Sequence, residues 1–454
     1  MSYVPHTDAE RREMLEIIGV DNFEALFGDI PTAARFPALD LPAPLMELDL
    51  SRHMRELAAR NADCAMHDCF LGAGAYWHFI PATVEEALRR GEFYSAYTPY
   101  QAEASQGMLQ AMFEYQSMIC ALTDMEVANA SHYDGSTALA DAVRMALRVA
   151  KGRRRKVIVS PTVNPRYREV VRTYLRGTDA VLLGESLPAN NPDNLIALRD
   201  GLLDEAAAAF VIQNPNFLGH FEDVTGLADA VHAAGALLIV VADPIAMGRF
   251  QSPGSYGADV VVADGQPLGI PLSFGGPHLG IFATRLAHVH HLPGRLVGET
   301  VDNRGRRGYV LTLAAREQHI RRAKATSNIC TNAGLMALAA ATYLATLGEV
   351  GLCKVAELCY HKSHYAAAQI GALPGFTVNA HAPDAPFFKE FVVSLPCPVA
   401  AANRMLFDEL GIIGGYDLGS AYPELEQHML VAVTEMSSRS AIDRLANGLG
   451  KIAS

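Results

Sequence analysis

The sequence is short of positive charge, has no paired-cysteine pattern, and runs through its middle third without a lysine. Lys and Arg number 37 against 49 Asp and Glu, a formal net charge of −12. That balance excludes a uniformly basic nucleic-acid binder. The cysteines are Cys64, Cys69, Cys120, Cys330, Cys353, Cys359 and Cys397, seven in all and with no C-x-x-C pair. This excludes a disulfide scaffold or zinc finger, and fits a reducing, cytoplasmic compartment. The start carries Asp8, Glu10, Arg11, Arg12 and Glu13 rather than the basic start and apolar block of a secretory signal. One uncharged stretch, 325–348, is long enough to cross a bilayer. Thr326, Ser327, Asn328 and Asn332 within it favour an Ala-rich helix buried in a large protein, so no membrane partner is expected. No lysine stands between Lys156 and Lys324.

What is present suits a large folded protein. Half of the 454 residues are hydrophobic and 19% are charged. At roughly 150 residues per domain, the length allows about three domains, or one large and one small. Residues 1–60 read as a helical arm. Residues 61–335 carry short apolar runs, 157–160, 180–183, 209–213, 236–242, 258–263 and 279–283, separated by helices and loops. Several are rich in Val and Ile and do not alternate with polar residues, as strands buried on both faces do not. Strands alternating with helices predict a large, mostly parallel α/β sheet. Residues 336–454 predict a smaller α+β domain.

In such a sheet, ligands sit beyond the carboxyl ends of the strands. Asp243 ends the run 236–242. A carboxylate there can pair with a protonated ring nitrogen, as in pyridoxal phosphate enzymes; the plainer reading is a cap for the turn before Pro244. The loop 131–137 precedes a helix, so Ser136 and Thr137 sit at a potential anion site, and His132 could stack on a flat ring. The competing reading is an ordinary helix cap. The run 258–263 leads into Asp264-Gly-Gln-Pro-Leu268, where a pyridoxal phosphate enzyme would place its Schiff-base lysine. Here there is none.

Two polar segments stand out. Arg316 to Asn328 is dense in cations, fitted either to clamp an anion or contact a subunit, or to form a solvated helix face. The segment 94–101 carries Tyr94, Tyr97 and Tyr100, suiting a loop that reaches into a site or an interface, or one that merely packs. The run Lys151 to Lys156 lies in an acidic chain and reads as a solvated loop. Cys64, His67 and Cys69 lack a standard zinc spacing, so no metal is expected.

Together, these segments closely resemble the P protein of the glycine cleavage system. The matching stretches include Tyr97-Thr-Pro-Tyr-Gln101, Gln213-Asn-Pro-Asn-Phe-Leu-Gly219, Phe274-Gly-Gly-Pro-His278, Arg316-Glu-Gln-His-Ile-Arg-Arg322 and Lys324-Ala-Thr-Ser-Asn-Ile-Cys-Thr331. In that family the enzyme is one long chain of two similar halves or two separate subunits, and this sequence resembles the N-terminal half. The resemblance implies the fold of type I pyridoxal phosphate enzymes, with the cofactor lysine on the other half, a beta subunit. The lysine slot falls at about Gln266, and His132, Ser136, Thr137, Asp243 and Gln266 are then remnants of a cofactor site.

The resemblance further implies a complex of two alpha and two beta subunits that decarboxylates glycine and passes the aminomethyl group to the lipoyl arm of the H protein. The residues expected to complete the beta active site across the interface are Tyr97, Thr98, Tyr100, Gln101, Arg316, His319, Arg321, Arg322, Lys324, Thr326 and Ser327. Ala323 departs from the acidic residue expected there. Two rival readings are a purely structural scaffold and a self-sufficient pyridoxal phosphate enzyme using a lysine such as Lys324.

Overall fold

The computed structural model describes residues 6–35, 37–94 and 96–452. It divides into two units, 1–62 and 63–454. The first unit holds helices α1 (Asp8–Ile18) and α2 (Glu47–Ala58). Thr7 and Glu10 close a reciprocal capping box on α1, which ends on left-handed Gly19. No residue of either helix is buried.

The second unit is built on a seven-stranded sheet: β1 (Val127–Ala128), β2 (Lys156–Val159), β3 (Val181–Leu183), β4 (Ala207–Asn214), β5 (Leu237–Ala242), β6 (Val260–Asp264) and β7 (Gly280–Thr284). The spatial order is β1-β7-β6-β5-β4-β2-β3. The five strands from β6 to β3 are parallel, and β7 and β1 add an antiparallel edge.

The central apolar runs are unbroken because those strands bury both faces. Ile158, Phe210, Leu238, Val240 and Val261 point into one core. Val157, Val159, Ala209, Val211, Ile239, Val241, Val260 and Val262 point into the other. Each of these Val, Leu, Ile or Phe side chains taken fully out of water contributes about 1.5–3 kcal/mol.

Helices α3 (Gln106–Thr123) and α6 (Gly334–Gly371) cover the first face; α4 (Gly135–Val149) and α5 (Pro165–Leu175) cover the second. α6 is long and apolar enough to cross a membrane. Its Ala337, Ala339, Ala340 and Ala341 instead lie in the sheet-facing core, where small side chains permit close approach. Gly348, at φ 60° and ψ −173°, breaks α6 into two helical stretches. Residues 325–333 precede the helix, so the Ala-rich stretch is helical only from Gly334.

A hairpin absent from the sequence reading joins β8 (Leu296–Val301) to β9 (Arg307–Thr312). A second sheet, β10 (Thr377–Val378), β11 (Glu390–Ser394), β12 (Tyr416–Asp417) and β13 (His428–Ala432), is antiparallel in the order β10-β11-β13-β12. Helices α7 (Val399–Leu410) and α8 (Arg439–Gly450) pack on it.

Candidate functional site

Beyond the carboxyl ends of β5 and β6 lies a crevice lined by Tyr76, Asp243, Asp264, Phe388, Lys389 and Glu390. Asp243 follows β5 as the strand register requires. Its Oδ1 accepts from the backbone N–H of Ile245 (2.9 Å) and Ala246 (3.3 Å), so it does cap the turn. Its Oδ2 lies 2.7 Å from Lys389 Nζ, with the lysine side chain only 2% exposed. The ammonium also sits 3.5 Å from the centre of the Tyr76 ring and 3.4 Å from His78 Nε2. The carboxylate that would face a cofactor's ring nitrogen is therefore paired with a cation of the same chain.

The lysine slot is filled as firmly. Gln266 is 2% exposed. Its amide accepts from Tyr76 N–H (2.8 Å) and donates to the carbonyls of Tyr76 (2.9 Å) and Ile270 (2.8 Å). This two-way bond to the Tyr76 backbone holds the loop 72–77 across the crevice. Glu390 fixes the same loop, accepting from Ala73 N–H and Tyr76 Oη, each at 2.7 Å. Burial pushes the Glu390 carboxyl up to about 7, against the hydrogen bonds that favour its charge. His78 continues the network, bonding Glu435 at 2.7 Å, and Cys359 donates to the same carboxylate.

The helix terminus that would cradle a phosphate is also taken. Asp134 caps α4, accepting from Thr137 N–H (2.8 Å) and Ser136 Oγ (2.5 Å), while Gly135 N–H donates to Asp264 (3.2 Å). Two carboxylates at this N-terminus repel an anion. Gly135 is required here, since a Cβ would lie 2.3 Å from Tyr167 Oη. His132, offered as a ring to stack on a cofactor, is fully buried, stacks on Phe282 at 5.2 Å and bonds Asp141 at 3.2 Å, and it does not line the crevice. The remaining cavity is about 50 Å³. Cofactor pockets run to about 300 Å³ and more. Pyridoxal phosphate does not fit these residues.

The tyrosine loop forms a second centre. Ser95 lies outside the described residues. Tyr97 is 87% exposed, and Gln101 and half-buried Thr98 flank Tyr100. Tyr100 meets His319 edge-on at 5.8 Å and accepts from Arg295 Nη2 at 3.0 Å. The cationic segment is only partly a free surface. Arg321, Arg322 and Lys324 are exposed. Arg316 is spent on the backbone carbonyls of Leu292 and Gly294, which corrects its reading as an anion clamp. Thr326 and Ser327 are buried, and Ser327 Oγ donates to Asp141, so neither reaches an outward face. In the basic run, Arg155 pairs with Asp179 and Lys156 with Asp204, holding a sheet edge. Sequence reasoning missed Tyr76, Lys389, Glu390 and Arg295. A charged pair interrupting the apolar run 387–393 was the one available signal.

The glycine cleavage system P-protein model matches residues 1–449. The chain belongs to the P-protein family of the glycine cleavage system. It is 51% identical over 452 residues, 99% of each chain, to a probable glycine dehydrogenase (decarboxylating) subunit 1 from Thermomicrobium roseum. A crystal structure of glycine decarboxylase (P-protein) in inhibitor-bound form matches with TM-score 0.88 and 46% identity, covering both chains fully. A sphingosine-1-phosphate lyase from Burkholderia pseudomallei, 17% identical with TM-score 0.66 over 93% of this chain and 94% of its own, shares the fold alone. The fold is that of type I pyridoxal phosphate enzymes. The family's reaction is glycine decarboxylation, and the designation subunit 1 implies a second subunit.

Proposed function

We propose that this chain is the subunit of glycine decarboxylase that does not hold the cofactor. A second, beta subunit binds pyridoxal phosphate through its own lysine. Together they decarboxylate glycine and pass the aminomethyl group to the lipoyl arm of the H protein, in the cytoplasm, as two alpha and two beta subunits. The observation that carries this reading is the filled crevice: Asp243 is paired with Lys389, and Gln266 is bonded to Tyr76 where a lysine would stand.

What this chain contributes is an outward group of side chains. Tyr97, Thr98, Tyr100, Gln101 and His319 are fitted to orient substrate and exclude water at the partner's site, and Arg321, Arg322 and Lys324 to attract its anions. The test is alanine substitution at Tyr97 and Tyr100 in the assembled complex. Lost glycine-dependent carbon dioxide exchange with intact assembly supports the reading. Unchanged turnover reduces the chain to a scaffold.

A further inference from the structure

Arg295 is 1% exposed, a guanidinium inside the protein. Its Nη2 donates to Tyr100 Oη at 3.0 Å, and its guanidinium lies 5.3 Å from the centre of that ring. Its Nε is 3.4 Å from Glu317 Oε2, close enough for attraction. Nε and Nη1 nevertheless have no hydrogen-bond partner among the described residues, nor has Glu317 Oε1. Glu317 Oε2 is 3.6 Å from His319 Nδ1, and His319 returns to the edge of the Tyr100 ring. The four side chains close a circuit: Tyr100, Arg295, Glu317, His319 and back to Tyr100. The backbone that carries Arg295 is itself pinned, by Arg316 on the Leu292 and Gly294 carbonyls and by Ala130 N–H on its own carbonyl at 2.8 Å.

A buried ion pair with unmet nitrogens is a poor way to gain stability; an apolar side chain of the same size does better. What the arrangement does achieve is direction. Tyr100 stays 54% exposed while its hydroxyl is held from within. An exposed tyrosine on an irregular loop otherwise samples several rotamers, and a partner's site needs one.

We propose that Arg295 is a positioning residue. From beneath the loop it fixes the Tyr100 hydroxyl, with Glu317 as its counter-charge, so that the loop meets the partner subunit's active site already ordered. The inference rests on the reading that this loop completes that site.

The experiment uses the full two-subunit complex, with glycine and a lipoylated carrier protein, and compares Arg295→Lys, Tyr100→Phe and the double variant. Lysine keeps the charge but cannot span both Tyr100 and Glu317. Arg295→Lys is expected to lower kcat about tenfold or more, with the glycine KM within about twofold and assembly by sedimentation unchanged. In the Tyr100→Phe background the same substitution is expected to cost less than about twofold, because both remove one interaction. Glu317→Gln is expected to show the same non-additivity, and serves if Arg295→Lys does not assemble. Full kcat in Arg295→Lys, or losses that multiply in the double variant, overturns the proposal. If Tyr97→Ala and Tyr100→Ala also leave turnover intact, the loop reading itself has failed. If they abolish it while Arg295→Lys does not, only the positioning role has.

Discussion

Lys389 Nζ lies 2.7 Å from Asp243 Oδ2, so the lysine just before β11 neutralises the carboxylate at the end of β5. The pair ties β11 to the strand ends of the large sheet. Lys389→Met leaves Asp243 poorly solvated and without its cation, a loss expected to cost about 3–5 kcal/mol. The double variant Lys389→Met with Asp243→Asn should recover most of it. Urea unfolding of the two variants, compared with wild type, measures both values.

Restoring a lysine at the slot should not restore a cofactor site. In Gln266→Lys the crevice is still crossed by the Tyr76 loop and still holds the Lys389 ammonium. The variant mixed with pyridoxal phosphate should gain no visible absorbance from a lysine-bound cofactor. A yellow, borohydride-trappable protein would show that the loop opens easily.

Glu390 gives the stability a pH signature. Its carboxyl is raised in the folded protein to about 7 from an ordinary value of 4.5. The folded state thus binds a proton more tightly than the unfolded state. The stability this supplies is complete below about 4.5 and is lost as pH rises through about 7. Glu390→Gln stays uncharged, so its stability relative to wild type should improve between those limits and level off above them. Thermal melts across this range provide the check.

Gly135→Ala should destabilise by about 1–3 kcal/mol, because the new methyl meets both Tyr167 Oη and the backbone nitrogen of Asp264. Tyr167→Phe removes the hydroxyl and should return part of the loss. Melting temperatures of the single and double variants decide it.

The large sheet was legible because its central strands are buried on both faces, and each core is fed by alternate residues of the same Val- and Ile-rich runs. The position of Asp243 and the lack of a lysine after the run 258–263 followed from strand ends; the slot at Gln266 came from the family resemblance. What fills the space did not. Lys389 and Tyr76 are 313 residues apart and meet only through the packing of β11 against the crevice. The hairpin of β8 and β9 was missed because only one side of it is buried and Gly298 and Gly308 interrupt its apolar residues. Arg316 and Ser327 looked like surface groups because sequence shows a charge or a hydroxyl but not the carbonyls or the carboxylate it will bond.

The most direct measurement is cofactor binding and glycine-dependent carbon dioxide exchange by the purified chain, alone and then with its second subunit and a lipoylated carrier protein. The account predicts a colourless, inactive chain and a coloured, active pair. A chain that turns yellow alone and exchanges glycine carbon dioxide would contradict it.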